Sequence, residues 1–153
     1  MQERENVVET EHSYILLIED NESHALLVRR GIEQSNIEAN VVHVTDGEEG
    51  LDYLFNRRNY NGGRKNPRPR FVFLDLRLPR MDGLDVLREI KTSEETREIP
   101  VVILTSSMAE TDIVRAYIYR ANSYLVKHID FYEFRKQIID AVEYWIHWNI
   151  NPL

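Results

Sequence analysis

Phe71-Val72-Phe73-Leu74-Asp75, running on through the turn DLRLPRMDG at residues 75–83, is the stretch from which the fold of this chain can be read. Four consecutive apolar residues without polar alternation read as a strand covered on both faces, as in a parallel sheet. The run ends on a carboxylate, and Pro79 and Gly83 mark the next residues as a loop. A carboxylate at the carboxyl end of a buried strand is rigidly held, exposed and able to react. The pattern recurs outward from there. Ser13-Tyr14-Ile15-Leu16-Leu17-Ile18 ends on Glu19-Asp20, Val101-Val102-Ile103-Leu104 on Thr105-Ser106, and Tyr124-Leu125-Val126 on Lys127. A further run covers Val41 to Val44.

Helical segments are expected between these runs, at Glu22–Gln34, Gly47–Phe55, Gly83–Lys91, Glu110–Tyr119 and Phe131–Trp148. In the third, Leu84, Leu87 and Ile90 make an apolar stripe that can pack on a sheet. Strands alternating with helices give an α/β doubly wound parallel sheet of five strands and five helices, because right-handed crossovers put helices on both faces. Ligands bind such sheets outside the carboxyl ends of the strands. That is where Glu19, Asp20, Asp75, Thr105 and Lys127 fall.

At 153 residues the chain has the length of one domain. It has no cysteine, which excludes a disulfide framework and a thiolate metal site and fits a reducing cytoplasm. The start, MQERENVVETEHS, is polar and glutamate-rich and does not read as a signal peptide. No apolar run approaches the roughly 18 residues of a membrane span. A soluble cytoplasmic protein without a membrane role is therefore expected. The net charge of −7 argues against general nucleic-acid affinity. Three acids in one pocket repel unless a cation lies among them or one takes a proton. An oxygen-only site suits Mg²⁺. The plainer use of Glu19-Asp20 is to cap the first helix, and the two uses can coexist.

Taken together, these residues resemble the receiver domain of two-component response regulators, over roughly Ser13 to Trp148. The resemblance is carried by Glu19-Asp20, Asp75, the LPRMDG loop with Pro79 and Gly83, the DGEEGL stretch from Asp46 to Leu51, Thr105-Ser106, and Tyr124 three residues before Lys127. It implies a flavodoxin-like sheet of order 2-1-3-4-5, with residues 1–12 as a flexible arm, 13–148 as the receiver domain and 149–153 as a tail. It implies that Asp75 accepts a phosphoryl group from a sensor histidine kinase. Mg²⁺ would be held by Asp20 and Asp75 directly, by Glu19 through water and by the backbone carbonyl of Arg77. Lys127 and Thr105 would face the phosphoryl group. Thr105 and Tyr124 would switch the face built by the fourth helix, fifth strand and fifth helix, read by a downstream protein. The long loop before the third strand and the aromatic tail resemble the small receivers that partner bacterial phytochromes.

Two departures stand out. His128 comes after Lys127 where most receivers carry proline, so a trans bond is expected there, a cis one costing about 2.5–4 kcal/mol. Arg77 and Ser107 occupy positions that, in this family, flank the phosphoryl group and tune its hydrolysis; Arg77 can shield it, pair with an acid or point to water. Arg77 also separates the chain from phosphatases with an aspartyl nucleophile, which typically place a second acid two residues on. A receiver-shaped scaffold that is never phosphorylated is a further alternative.

The segment Asn56–Arg70 carries Arg57, Arg58, Arg64, Lys65, Arg68 and Arg70 and reads as a solvated loop, with an acidic kinase surface as the alternative contact. In the last helix, Phe131, Phe134, Ile138, Val142 and Trp145 are expected to face the sheet. Tyr132, Ile139 and Ile146 form a second row, spaced by seven, that suggests a homodimer. His12, His24, His43, His128 and His147 show no metal spacing and read as ordinary loop and surface residues.

Overall fold

A computed structural model describes residues 13–152; the expected arm, residues 1–12, and Leu153 lie outside that range. Among the described residues the strands are β1 (Tyr14–Ile18), β2 (Asn40–Val44), β3 (Phe71–Leu74), β4 (Val101–Thr105) and β5 (Ser123–Val126). The helices are α1 (Glu22–Gln34), α2 (Gly47–Leu54), α3 (Gly83–Thr92), α4 (Glu110–Ile118) and α5 (Phe131–Val142). All pairings are parallel and the strand order is β2-β1-β3-β4-β5. Strand order reverses between β1 and β3, which leaves a crevice at their carboxyl ends.

The period of two within each strand divides the core. Leu16, Ile18, Val72, Leu74, Val101 and Ile103 pack under α2, α3 and α4, together with Leu51, Leu84, Leu87, Ile90 and Ala116. Their neighbours Ile15, Leu17, Phe71, Phe73, Val102 and Leu104 turn to the other face and meet Ala25, Val28 and Ile32 of α1 and Phe134, Ile138 and Val142 of α5. Burying one such side chain is worth about 1.5–3 kcal/mol. A sheet covered on both faces is thus rigid enough to fix what projects from its ends.

The helices begin where short polar side chains satisfy free backbone donors. Asp46, Asp82 and Asp130 cap α2, α3 and α5. At α1 the cap is Asn21, which accepts from the His24 amide at 3.0 Å. Neither Glu19 nor Asp20 is the cap residue of α1, although Glu19 Oε2 accepts from the Asn21 amide at 3.3 Å, so Glu19 serves the helix start and the crevice together.

The end of α5 departs from expectation. Regular α-helix stops at Val142, and Glu143–Trp148 continues as a π-helical turn closed by the Asn149 amide on the Tyr144 carbonyl. The wider turn shifts the helix phase. As a result Ile146 packs beside Trp145 against the α1/α5 core rather than joining an outward row. Of that row, Tyr132 is exposed and Ile139 is half-buried. Phe131, expected on the sheet face, is the first residue of α5 and lies 71 % exposed, while Phe134 in the same turn is buried.

The basic loop is more knitted than a solvated segment. It holds a 3₁₀ turn at Arg58–Tyr60, and Arg57 and Arg58 both pair with Asp52 on α2. The Asn66 side chain donates to the carbonyls of Tyr53 and Tyr60, while the Tyr53 hydroxyl donates to the Pro67 carbonyl. Arg64 and Lys65 remain exposed.

Candidate functional site

Backbone hydrogen bonds carry the sheet one residue past the strands and so align the reactive side chains. The amide of Asp75 donates to the Ile18 carbonyl, that of Glu19 to Val44, and that of Lys127 to Thr105. Gly83 closes the loop behind Asp75: a Cβ there would collide with the Asp75 carbonyl, so only glycine fits.

Carboxylate oxygens of Glu19, Asp20 and Asp75 lie within 4.8 Å of one another. Glu19 and Asp75 are buried and Asp20 is exposed. The Lys127 ammonium, itself buried, donates to Glu19 and, at 3.0 Å, to Asp75 Oδ2. Burial raises the Glu19 carboxyl to about 7, with repulsion from Asp75 adding to it and Lys127 opposing. Burial also pushes Asp75 upward. The Lys127 ammonium, aided by hydrogen bonds from Glu19 and Thr105, outweighs it and holds Asp75 below the usual aspartate range. The two neighbouring acids are therefore driven apart: Asp75 stays ionised while Glu19 readily takes a proton. An ionised aspartate beside a fixed ammonium, in an acidic cleft, can act as a nucleophile toward an electrophile bearing negative charge.

A second set of contacts spreads toward α4. The Arg77 amide donates to Asp75 Oδ1 at 3.2 Å, and its guanidinium pairs with Asp112. The Ser107 hydroxyl donates to Asp112 as well, at 2.6 Å. Tyr124 is half-buried, and its hydroxyl donates to the Ser107 carbonyl at 2.9 Å.

The sequence model of the response regulator receiver domain matches residues 15–139. The chain belongs to the response regulator receiver family. It is 44% identical over 148 residues to the probable methanogenesis regulatory protein FilR2 of Methanothrix harundinacea, covering 96% of this chain and 93% of that one. It is 33% identical to response regulator Rcp1 of Synechocystis sp., over 86% of this chain and 88% of Rcp1. Among solved structures, the Mn²⁺-bound form of Rcp1 superposes with a TM-score of 0.86 at 32% identity, over 92% of this chain and 99% of that one. The phosphorylated cyanobacterial phytochrome response regulator RcpA gives the same TM-score of 0.86 at 33% identity, over 93% and 99%.

In this receiver the six strand-end residues quoted from the sequence do not all meet. Glu19, Asp20, Asp75 and Lys127 form one cluster with buried Thr105 beside it, whereas Ser106 is exposed. Of the three readings of Arg77, pairing with an acid is the observed one. His24 corrects the expectation of an ordinary surface histidine: its Nδ1 lies 2.9 Å from Lys127 Nζ. Burial, followed by the Lys127 charge, pushes His24 below its usual pKa. Its place in the first turn of α1, five residues after Glu19, was the available signal. Asp112 gave none, since its partner is 35 residues away in sequence. The Lys127–His128 bond is trans, as no cis peptide occurs among the described residues. Gln137 braces both sides of Lys127, accepting from the His128 amide at 3.0 Å and donating to the Val126 carbonyl at 2.8 Å.

Proposed function

We propose that Asp75 is the phosphoryl acceptor of this receiver, taking the group from the histidine of a sensor kinase. An Asp75 oxygen forms a bond to phosphorus, the P–N bond to the histidine breaks, and the imidazole leaves with the electron pair. The observation that carries this reading is the ionised Asp75 carboxylate 3.0 Å from the Lys127 ammonium, beside Glu19 and Asp20. Phosphoryl transfer mainly needs positioning and neutralised charge. Lys127 supplies a fixed positive charge, and the Thr105 hydroxyl can donate to a phosphoryl oxygen.

The three carboxylates also suit a hard divalent ion, Mg²⁺, with Asp20 and Asp75 as direct ligands, Glu19 through water and the Arg77 carbonyl completing the set. When bound, the ion neutralises charge on the transferred group. The Mn²⁺-bound Rcp1 and phosphorylated RcpA support both halves of the reading. Phosphorylation draws the Thr105 hydroxyl inward. Tyr124 then leaves the Ser107 carbonyl, and a downstream protein reads the altered α4–β5–α5 face. Among the described residues no helix is long and apolar enough to cross a membrane. We place the protein in the cytoplasm, and the likeness to RcpA favours a partner kinase of the phytochrome class.

Incubation with acetyl phosphate and Mg²⁺, followed by intact-mass measurement, should show the gain of one phosphoryl group, lost with EDTA. An unchanged mass with Mg²⁺ present would leave a receiver-shaped scaffold as the reading. We further propose a homodimer through the outer face of α5, now narrowed to Tyr132 and Ile139 because Ile146 packs inward. Sedimentation of Ile139→Glu should give a monomer. A dimer that survives this change lies on another face.

A further inference from the structure

We propose that Asp112 sets the lifetime of the phosphoryl group on Asp75 by withholding the Arg77 guanidinium from it. This rests on Asp75 being the acceptor. Arg77 stands two residues after Asp75, and its own amide is 3.2 Å from Asp75 Oδ1, so the root of its side chain is already at the reacting carboxylate. The guanidinium nevertheless points away, donating to Asp112 Oδ2 at 2.5 Å. The two partners are unequally fixed. The Asp112 side chain is 10% exposed and also accepts from the Ser107 hydroxyl, whereas the Arg77 side chain is 61% exposed. Asp112 is the anchor and Arg77 the movable end.

A phosphorylated Asp75 offers about −1.5 to −2 charges and three acceptor oxygens, against one charge on Asp112. A guanidinium fork matches phosphate geometry and, once there, covers one approach to phosphorus. Loss of the group is hydrolysis: water forms a bond to phosphorus, the bond to the Asp75 oxygen breaks, and the carboxylate and dihydrogen phosphate separate. Asp112, already in place and fixed by Ser107, competes with the phosphoryl group for Arg77, and for the fraction of time it holds the guanidinium that approach stays open. The same Asp112 oxygen fixes Ser107, whose amide is 3.3 Å from Thr105 Oγ1 and whose carbonyl holds Tyr124. The anchor thus joins the phosphorylation loop after β3 to the loop before α4.

The test uses the full chain, phosphorylated with acetyl phosphate and Mg²⁺, desalted, and followed by intact mass as the phosphoryl group decays. Asp112→Asn keeps an acceptor for Ser107 but removes the charge that holds Arg77. It should lengthen the half-life roughly two- to fivefold, what an ion pair with one exposed partner can withhold. In an Arg77→Ala background the same substitution should change nothing. Thermal melts establish that each variant is folded, and Asp112→Ser, smaller and equally uncharged, should reproduce the direction. A half-life unmoved by either Asp112 variant overturns the proposal. So does an equal change with and without Arg77, which would mark Asp112 as acting through the α4 loop alone. Wild type that takes no phosphoryl group would overturn the acceptor reading itself.

Discussion

Asp75→Asn takes up no detectable phosphate from acetyl phosphate under conditions in which the wild type gains one phosphoryl group. The substitution keeps the shape of the side chain and the backbone bond from residue 75 to the Ile18 carbonyl, so the end of β3 stays in place. It removes the anionic oxygen that Lys127 holds ionised, and a neutral amide oxygen is a poor nucleophile. A second effect accompanies the first. Asp75 is, after burial, the largest influence raising Glu19. In the variant Glu19 ionises at lower pH, and the apo protein should melt no lower than wild type at neutral pH. Intact mass reads the first effect and a thermal melt the second. Phosphate found on Asp75→Asn would move the acceptor elsewhere, and the exposed Asp20 would be the next carboxylate to test.

The strand ends were legible because strands covered on both faces are written as unbroken apolar runs, and the polar residue after each run lies at the sheet's edge. Phe71–Leu74 and Asp75 are the clearest case, and the 2-1-3-4-5 order came with the family resemblance. The contacts that aim these residues were not legible. His24 meets Lys127 across 103 positions, a distance in sequence that only the placing of β1 beside β3 and β4 beside β5 closes. Arg77 could have shielded the acceptor, paired or faced water, and the choice was made by Asp112 in the first turn of α4. At α1 the residues Asp20 and Asn21 are both good caps, and only the backbone settles that Asn21 is used. In α5 a regular period carried past Val142 puts Ile146 outside. A π turn adds a residue to the repeat and turns that side chain inward.

Lys127→Met should destabilise the metal-free protein by about 3–5 kcal/mol, the cost of leaving buried charge without its partner. The Lys127 side chain is 4% exposed and lies between Glu19 at 2% and Asp75 at 8%. Without it the carboxylates face each other and His24 loses its neighbour. The loss should depend on pH in a defined direction. Glu19 already titrates at about 7, above the 4.5 of an unperturbed glutamate, and removing Lys127 takes away what lowers it. An acid whose folded pKa is raised contributes stability that is full below its unfolded value and is lost as pH rises through the folded one. Asp75, held low by Lys127 in the wild type, contributes in the opposite sense there, and that contribution disappears with the lysine. The gap between variant and wild type should therefore already be present at pH 5, where the Asp75 contribution is lost with the lysine, and widen toward pH 8 as Glu19 ionises. Millimolar Mg²⁺ should narrow it by restoring positive charge to the cleft. Urea denaturation at both pH values, with and without Mg²⁺, measures all of this. A gap that stays constant with pH would mean that Lys127 braces the fold by packing, with Glu19 and Asp75 paired to something else.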